Sequence, residues 1–225
     1  GCGAQAVTQW HALSRLFDFE KVVIYDSDTE VAASLQERVA VLGLPADLVE
    51  ICDVATVVRE ADILCVATSV DVGAGPVFPP ETETKPWLHI NAVGSDFPGK
   101  TELPLELLRR SFVSPDFHNQ AREEGECQQL GSSEIGPEIV MIAKTPDAFG
   151  NIANRRTVFD STGYSLEDYV AMKMLREFAA KFDKGVVIKI ESVPSDPRNP
   201  YQFLSEKPEL ETTTQSPLPA IPAEA

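Results

Sequence analysis

The sequence is poor in positive charge. Lys and Arg number 19 against 35 Asp and Glu, a net charge of −16 over 225 residues. Nucleic acid and anionic membranes both require a basic face, so this composition argues against either as a partner. Cysteine is scarce as well. Cys2, Cys52, Cys65 and Cys127 are scattered, with no C-x-x-C pair and no His at zinc spacing, so a structural metal is not expected. Cys52 and Cys65 end apolar runs and read as buried thiols, which suits a reducing, cytoplasmic setting. A secretory leader is not evident, and neither is an apolar run long enough to span a bilayer. Of the three histidines, His11 and His118 read as surface residues and His89 as a packed one; none sits in a motif.

What is present is ordered. Gly1-Cys2-Gly3-Ala4-Gln5-Ala6 fits G-x-G-x-x-A, a phosphate-binding turn in which Gly1 permits a tight turn and Gly3 lets backbone approach a pyrophosphate. Alone the motif is weak, but its context can be tested. A helix should follow, and Ala6, Val7, Trp10, Leu13, Leu16 and Phe17 recur at helical spacing. A strand ending in an acid should come about twenty residues later. Lys21-Val22-Val23-Ile24-Tyr25-Asp26 supplies it, with Asp26 placed to accept the adenosine ribose hydroxyls. A carboxylate there would repel a 2′-phosphate, which favours NAD over NADP. A third feature, a strand before the glycines, is not found, and the expectation is that it lies upstream of Gly1.

Strand and helix then alternate. A helix is expected over 28–42, a strand at Leu48-Cys52 and a helix from Val54 to Ala61. Asp62 to Thr68 is a near-continuous apolar run, expected as a strand buried on both faces, with Thr68 and Ser69 at its tip facing the nicotinamide ribose. Further strands are expected at Trp87-Val93, Ser111-Ser114 and Thr157-Gly163. Helices are expected at Leu103-Arg110 and Leu166-Phe182, and Val186-Ile190 is β-prone. A polar helix carrying Glu123, Glu124 and Glu126 is expected to present a solvated face. The pattern is α/β: a Rossmann-type, doubly wound, mostly parallel sheet over residues 1–192, apparently without its first strand. Residues 193–225 form a Pro/Ser/Thr/Glu-rich extension of disordered composition.

The densest chemistry lies in His89-Ile90-Asn91-Ala92-Val93-Gly94-Ser95-Asp96-Phe97-Pro98-Gly99-Lys100-Thr101-Glu102. An apolar strand ends at Gly94, Asp96 follows, and a Pro-Gly turn and Lys100 lead to a helix expected near Thr101. Ligands of open parallel sheets bind at the carboxyl tips of the strands, so Asp96 and Lys100 would face a cofactor. The competing role for Asp96 is to cap that helix, and for Lys100 to be a solvated turn residue. Asp160 is expected to orient its strand tip by hydrogen bonding, and Glu167 to favour a helix dipole.

Four blocks resemble the ornithine cyclodeaminase/mu-crystallin family: G-C-G-A-Q-A, H-I-N-A-V-G-S-D-F-P-G-K-T-E-L, E-G-E-C-Q-Q-L from Glu124, and T-V-F-D-S-T-G-Y-S-L-E-D-Y. The D-x-P-G-K-T-E-L form is closer to the cyclodeaminases than to the mu-crystallin branch, although Ser95 stands where cyclodeaminases usually have Gly. The resemblance implies a homodimer whose substrate and dimerisation domain precedes the glycine motif. The Arg and Lys that clamp the substrate carboxylate in that domain have no counterpart here. By motif position Gly1, Gly3, Ala4, Gln5, Asp26, Val93, Gly94, Ser95, Lys100 and Ser161 would bind NAD. Asp96 would be the catalytic acid/base and Thr162 would touch the substrate.

The implied reaction converts a basic L-amino acid, ornithine to proline plus ammonia foremost, by transient hydride transfer to NAD; lysine and diaminobutyrate remain open. One carboxylate beside the nicotinamide can deprotonate the substrate ammonium and reprotonate the leaving amine. The alternatives are a net NAD(H)-dependent amino-acid dehydrogenase or ketimine/opine-type reductase of the same family, a non-catalytic mu-crystallin-like binding protein, and an inactive fragment.

Overall fold

The computed structural model describes residues 1–186 and Arg198. The extension expected over 193–225, and the β-prone segment beyond Val186, lie outside the described residues apart from Arg198. By internal contacts the chain divides into Gly1–Tyr164 and a second unit from Ser165 onward.

In the first unit α1 (Ala4–Leu13), β1 (Val22–Ile24), α2 (Thr29–Ala40), β2 (Val49–Ile51), α3 (Val54–Glu60) and β3 (Ile63–Val66) alternate as expected. β4 (His89–Ala92), α4 (Leu105–Arg109), β5 (Phe112–Pro115), α5 (His118–Ala121), α6 (Ile139–Lys144) and β6 (Thr157–Asp160) follow. The second unit begins with α7 (Ser165–Lys181), whose Glu167 and Asp168 lie in its first turn, where negative charge complements the helix dipole.

Side chains set the helix starts. Asp28 caps α2 by accepting from the N–H groups of Glu30 and Val31 at 2.9 and 3.3 Å. Asp53 caps α3 through the Thr56 N–H at 2.9 Å. The helix expected near Thr101 is absent. Residues Thr101 to Leu103 lie outside any helix and α4 begins only after Pro104. The ring of Pro104 disfavours helical backbone at Leu103, and the Glu102 and Leu103 N–H groups are engaged by a side chain from elsewhere in the fold.

Among the described residues all strand pairings are parallel, but they form two sheets rather than one. β1 pairs with β2, and the larger sheet runs β3-β4-β6-β5, with Ile90 opposite Leu64 on one side and Val158 on the other. β1 and β3 border a cleft of about 650 Å³, lined by apolar side chains such as Trp10, Leu13, Val23, Val57 and Leu64. Burial alternates along β3, β4 and β6, so the expectation that the Asp62–Thr68 strand is buried on both faces is corrected. One face is closed by Leu64, Val66, Ile90, Ala92 and Val158. The other carries a polar ladder, Thr157–His89–Asn91–Gln9, with successive contacts of 2.7, 3.1 and 3.1 Å. His89 is therefore half-buried and hydrogen-bonded, and burial holds its pKa below the usual imidazole value. Cys52 and Cys65 are likewise only half-buried; the fully buried thiols are Cys2 and Cys127. Among the described residues no helix is long and apolar enough to cross a membrane.

Ile90 is 0% exposed at the centre of this core, whereas Val41 is 87% exposed. Ile90→Ala should therefore destabilise the protein by about 2–5 kcal/mol in urea unfolding, and Val41→Ala by less than about 0.5 kcal/mol. Equal effects would show that the core is misassigned.

Candidate functional site

The carboxyl ends of β1 and β3 meet the glycine turn. Gly1 packs so closely on the β3 tip that a Cβ there would lie 2.5 Å from the Ala67 carbonyl oxygen, which only glycine avoids. Gly3 starts α1 with no side-chain cap, no acid occupies its first turn, and Ala4 and Gln5 are exposed there. That arrangement leaves the amino end of α1 to an external anion. Asp26 reaches back to accept from the Cys2 N–H at 2.7 Å and from the Asp28 N–H at 2.9 Å. Burial opposes its ionisation, but these donors and the Arg38 charge outweigh it and hold the carboxyl below the usual range. Arg38 itself donates to the carbonyls of Cys2 and Gly3 at 2.5 and 3.3 Å, clamping the turn onto α2.

Three strand tips are tied beside it. Val93 N–H donates to Val66 O at 3.0 Å, and Ser161 N–H to Ala92 O at 2.9 Å. Asp96, 63% exposed at its side chain, accepts from Lys100 Nζ at 2.9 Å. It therefore does not cap a helix; the pair braces a turn whose Lys100 N–H returns to Phe97 O at 3.0 Å. The Ser95 hydroxyl points into this turn and donates to Lys100 O at 2.5 Å. Ser69 is exposed beside Thr68, while Thr162 donates to Asp116 at 3.3 Å. Asp116 also accepts from the Gly163 N–H at 2.7 Å, so it fixes the loop that carries Ser161 and Thr162.

Sequence reading missed the groups that hold these tips in place. Glu102, expected in a helix, and Glu126, expected on a solvated face, are both 0% exposed. Glu102 accepts from the Thr68 N–H at 2.6 Å, the Thr68 hydroxyl at 2.5 Å and the Gly94 N–H at 2.9 Å. A Cβ on Gly94 would meet that carboxyl at 2.5 Å, which accounts for glycine at the β4 tip. Glu126 accepts from the N–H groups of Glu102 and Leu103 at 2.7 and 3.1 Å. Asp160, as expected an orienting group, accepts from Glu126 and Cys127 N–H at 2.9 and 2.8 Å. Gln128 completes the frame, donating to Lys100 O at 2.8 Å and accepting from the Gly99 N–H at 2.6 Å. The available signal was the E-G-E-C-Q-Q-L run: its Glu, Cys and Gln have no amphipathic period to explain them.

Glycine turn, uncapped helix and strand-end carboxylate are the kind of groups that could hold a dinucleotide. Among the described residues no group of His, Cys, Asp and Glu is arranged to hold a metal ion.

Comparison with known proteins shows the family. Residues 1–182 match the model of the ornithine cyclodeaminase/mu-crystallin family. The chain belongs to that family. It is 46% identical over 203 residues to the L-lysine cyclodeaminase of Streptomyces rapamycinicus, covering 90% of this chain and 58% of the relative. A solved structure on the recognition of L-lysine, L-ornithine and L-2,4-diaminobutyric acid by lysine cyclodeaminase superimposes with a TM-score of 0.81 at 45% identity. It covers 89% of this chain and 57% of that one. An archaeal alanine dehydrogenase dimer with bound NAD gives a TM-score of 0.70 at 28% identity, over 85% of this chain and 59% of that one. The chain thus spans less than two thirds of the length of these family members.

The buried carboxyls make stability pH-dependent. Burial, with the Asp160 and Glu102 charges adding to it, pushes Glu126 from 4.5 up to about 8; burial likewise pushes Asp160 from 3.8 up to about 6. Between its unfolded and folded values each group binds its proton more tightly in the native state, so stability falls as pH rises through that window. The melting temperature should fall as the pH rises from about 6 to about 8, with Asp160 contributing at the lower end, and Glu126→Gln should flatten the upper part of that fall. An unchanged slope in the variant would contradict the assignment.

Proposed function

We propose that this chain forms the NAD-binding and catalytic part of a cyclodeaminase acting on a basic L-amino acid. The observation that carries the proposal is the Asp96–Lys100 pair, which follows the carboxyl end of β4 as Asp26, bound to the glycine turn, follows that of β1. The amino end of α1 takes the pyrophosphate and Asp26 the adenosine ribose. Thr68, Ser69 and Val93 to Ser95 line the nicotinamide side with Lys100 and Ser161, and Thr162 faces the substrate. NAD, when bound, supplies a reversible hydride acceptor, so oxidation at the substrate α-carbon and later reduction of the cyclic imine leave no net redox change.

Asp96 moves the protons. Its carboxylate takes one from the substrate α-ammonium before hydride can leave, and returns one to the departing ammonia. Lys100 engages Oδ1 and holds the carboxylate at the loop surface, while the frame beneath keeps the loop from drifting out of reach. The terminal amine of the substrate closes the ring, so its chain length sets ring size: ornithine gives proline and lysine a six-membered ring. Similarity to the Streptomyces lysine cyclodeaminase supports lysine beside ornithine.

The cleft between β1 and β3 has the apolar lining and bordering strands that suit one more parallel strand, which would join the two sheets into one doubly wound sheet. A homodimer with a separate substrate-binding domain accords with the dimeric alanine dehydrogenase and with the greater length of the relatives.

In the complete protein, Asp96→Asn should keep NADH affinity and lower turnover about a hundred- to ten-thousandfold. Turnover should release ammonia without building up NADH absorbance. Near-normal turnover in the variant would remove Asp96 from the mechanism, and stoichiometric NADH would replace the cyclodeaminase by a net dehydrogenase.

A further inference from the structure

The side-chain hydrogen bonds of Glu102 go to Thr68 and Gly94, and none goes to α1 or to Asp96. It is nevertheless the group on which two strand tips meet. One oxygen accepts both donors of Thr68 at the end of β3, and the other accepts the Gly94 N–H at the end of β4. Its own N–H is fixed by Glu126, whose N–H is in turn fixed by Asp160 at the end of β6. Three carboxyl groups thus link three parallel strands through backbone donors. None of the three forms an ion pair among the described residues.

A buried carboxyl without a cation is unfavourable, and an apolar residue would fill the same volume more cheaply. What an apolar residue cannot do is accept three donors from two strands at once. Gln cannot do it either, because its amide nitrogen would point a donor at Thr68 or at Gly94. Asp is one methylene short of spanning both. The requirement for this side chain therefore lies in the spacing of the two tips. One tip carries Thr68 and Ser69; the other leads directly into Ser95 and Asp96.

We propose that Glu102 is a positioning residue for the dinucleotide: it sets the separation of the β3 and β4 tips, and with it the place of Asp96 beside the nicotinamide. This rests on the NAD-dependent function proposed above. It adds that the affinity and alignment of the nicotinamide half depend on a group that never touches it.

The test uses the complete protein with NADH as the probe. Equilibrium NADH binding by fluorescence, kcat and the amino-acid KM are measured for the wild type, Glu102→Gln, Thr68→Val and the double variant. Glu102→Gln should weaken NADH binding about tenfold or more and lower kcat, with the amino-acid KM changed less than about twofold. Because Glu102 acts through Thr68, the double variant should be no worse than Glu102→Gln alone. Thr68→Ser, which keeps the hydroxyl, should restore most of the affinity lost in Thr68→Val. If Glu102→Gln lowers the melting temperature while leaving NADH affinity and kcat unchanged, its role is structural only and the proposal fails. Should Glu102→Gln not fold, Thr68→Val decides alone, and wild-type NADH affinity in it overturns the proposal. Failure of the wild type to bind NADH would instead sink the proposed function, a different outcome.

Discussion

Burying a carboxyl group with no cation beside it works against stability by several kcal/mol, and proteins do so rarely. Here Glu102, Glu126 and Asp160 are buried together at the carboxyl edge of one sheet. Each is satisfied by backbone N–H groups from the next segment, so the unfavourable transfer is offset by hydrogen bonds that nothing shorter or less polar could make. The consequence is geometric. Loops at strand tips are ordinarily the loosest parts of an α/β fold, yet these are cross-linked to one another from below.

Everything on the functional face inherits its place from that frame. The turn from Ser95 to Lys100 rests on Gln128 and on its own Ser95 hydroxyl, the Thr162 loop rests on Asp116, and the β3 tip rests on Glu102. The side chain of Asp96 is thus left exposed while the backbone that carries it is held. Among the described residues, a strongly acidic chain places its most constrained acids in no ion pair, and the exposed Asp96 beside Lys100.

Much of this was legible beforehand, for definite reasons. The Gly1–Ala6 turn, the Asp26 strand end and the alternation of strand and helix all carry local signals, and all appear in the structure. The local signal failed where tertiary contacts decide. Thr101 to Leu103 is not helical because Pro104 follows and a carboxyl group from a distant segment takes the Glu102 and Leu103 N–H groups. Glu126 looked solvated because it neighbours Glu123 and Glu124 in sequence, and only the fold turns it inward. The β3 run looked buried on both faces because Ile63 and Cys65 are apolar, although the face they share with His89 and Asn91 is half-open. The split into two sheets follows from pairing and could not be read from composition.

What matters most is where the nicotinamide lies relative to the framed tips. A crystal structure of the complete protein with NAD and a diamino acid bound is the most direct measurement. The expected result is a nicotinamide ring between Thr68 and Asp96, with the Asp96 carboxylate within hydrogen-bond reach of the substrate α-amine. A ring bound elsewhere, with Asp96 turned to solvent and away from the amine, would contradict the account.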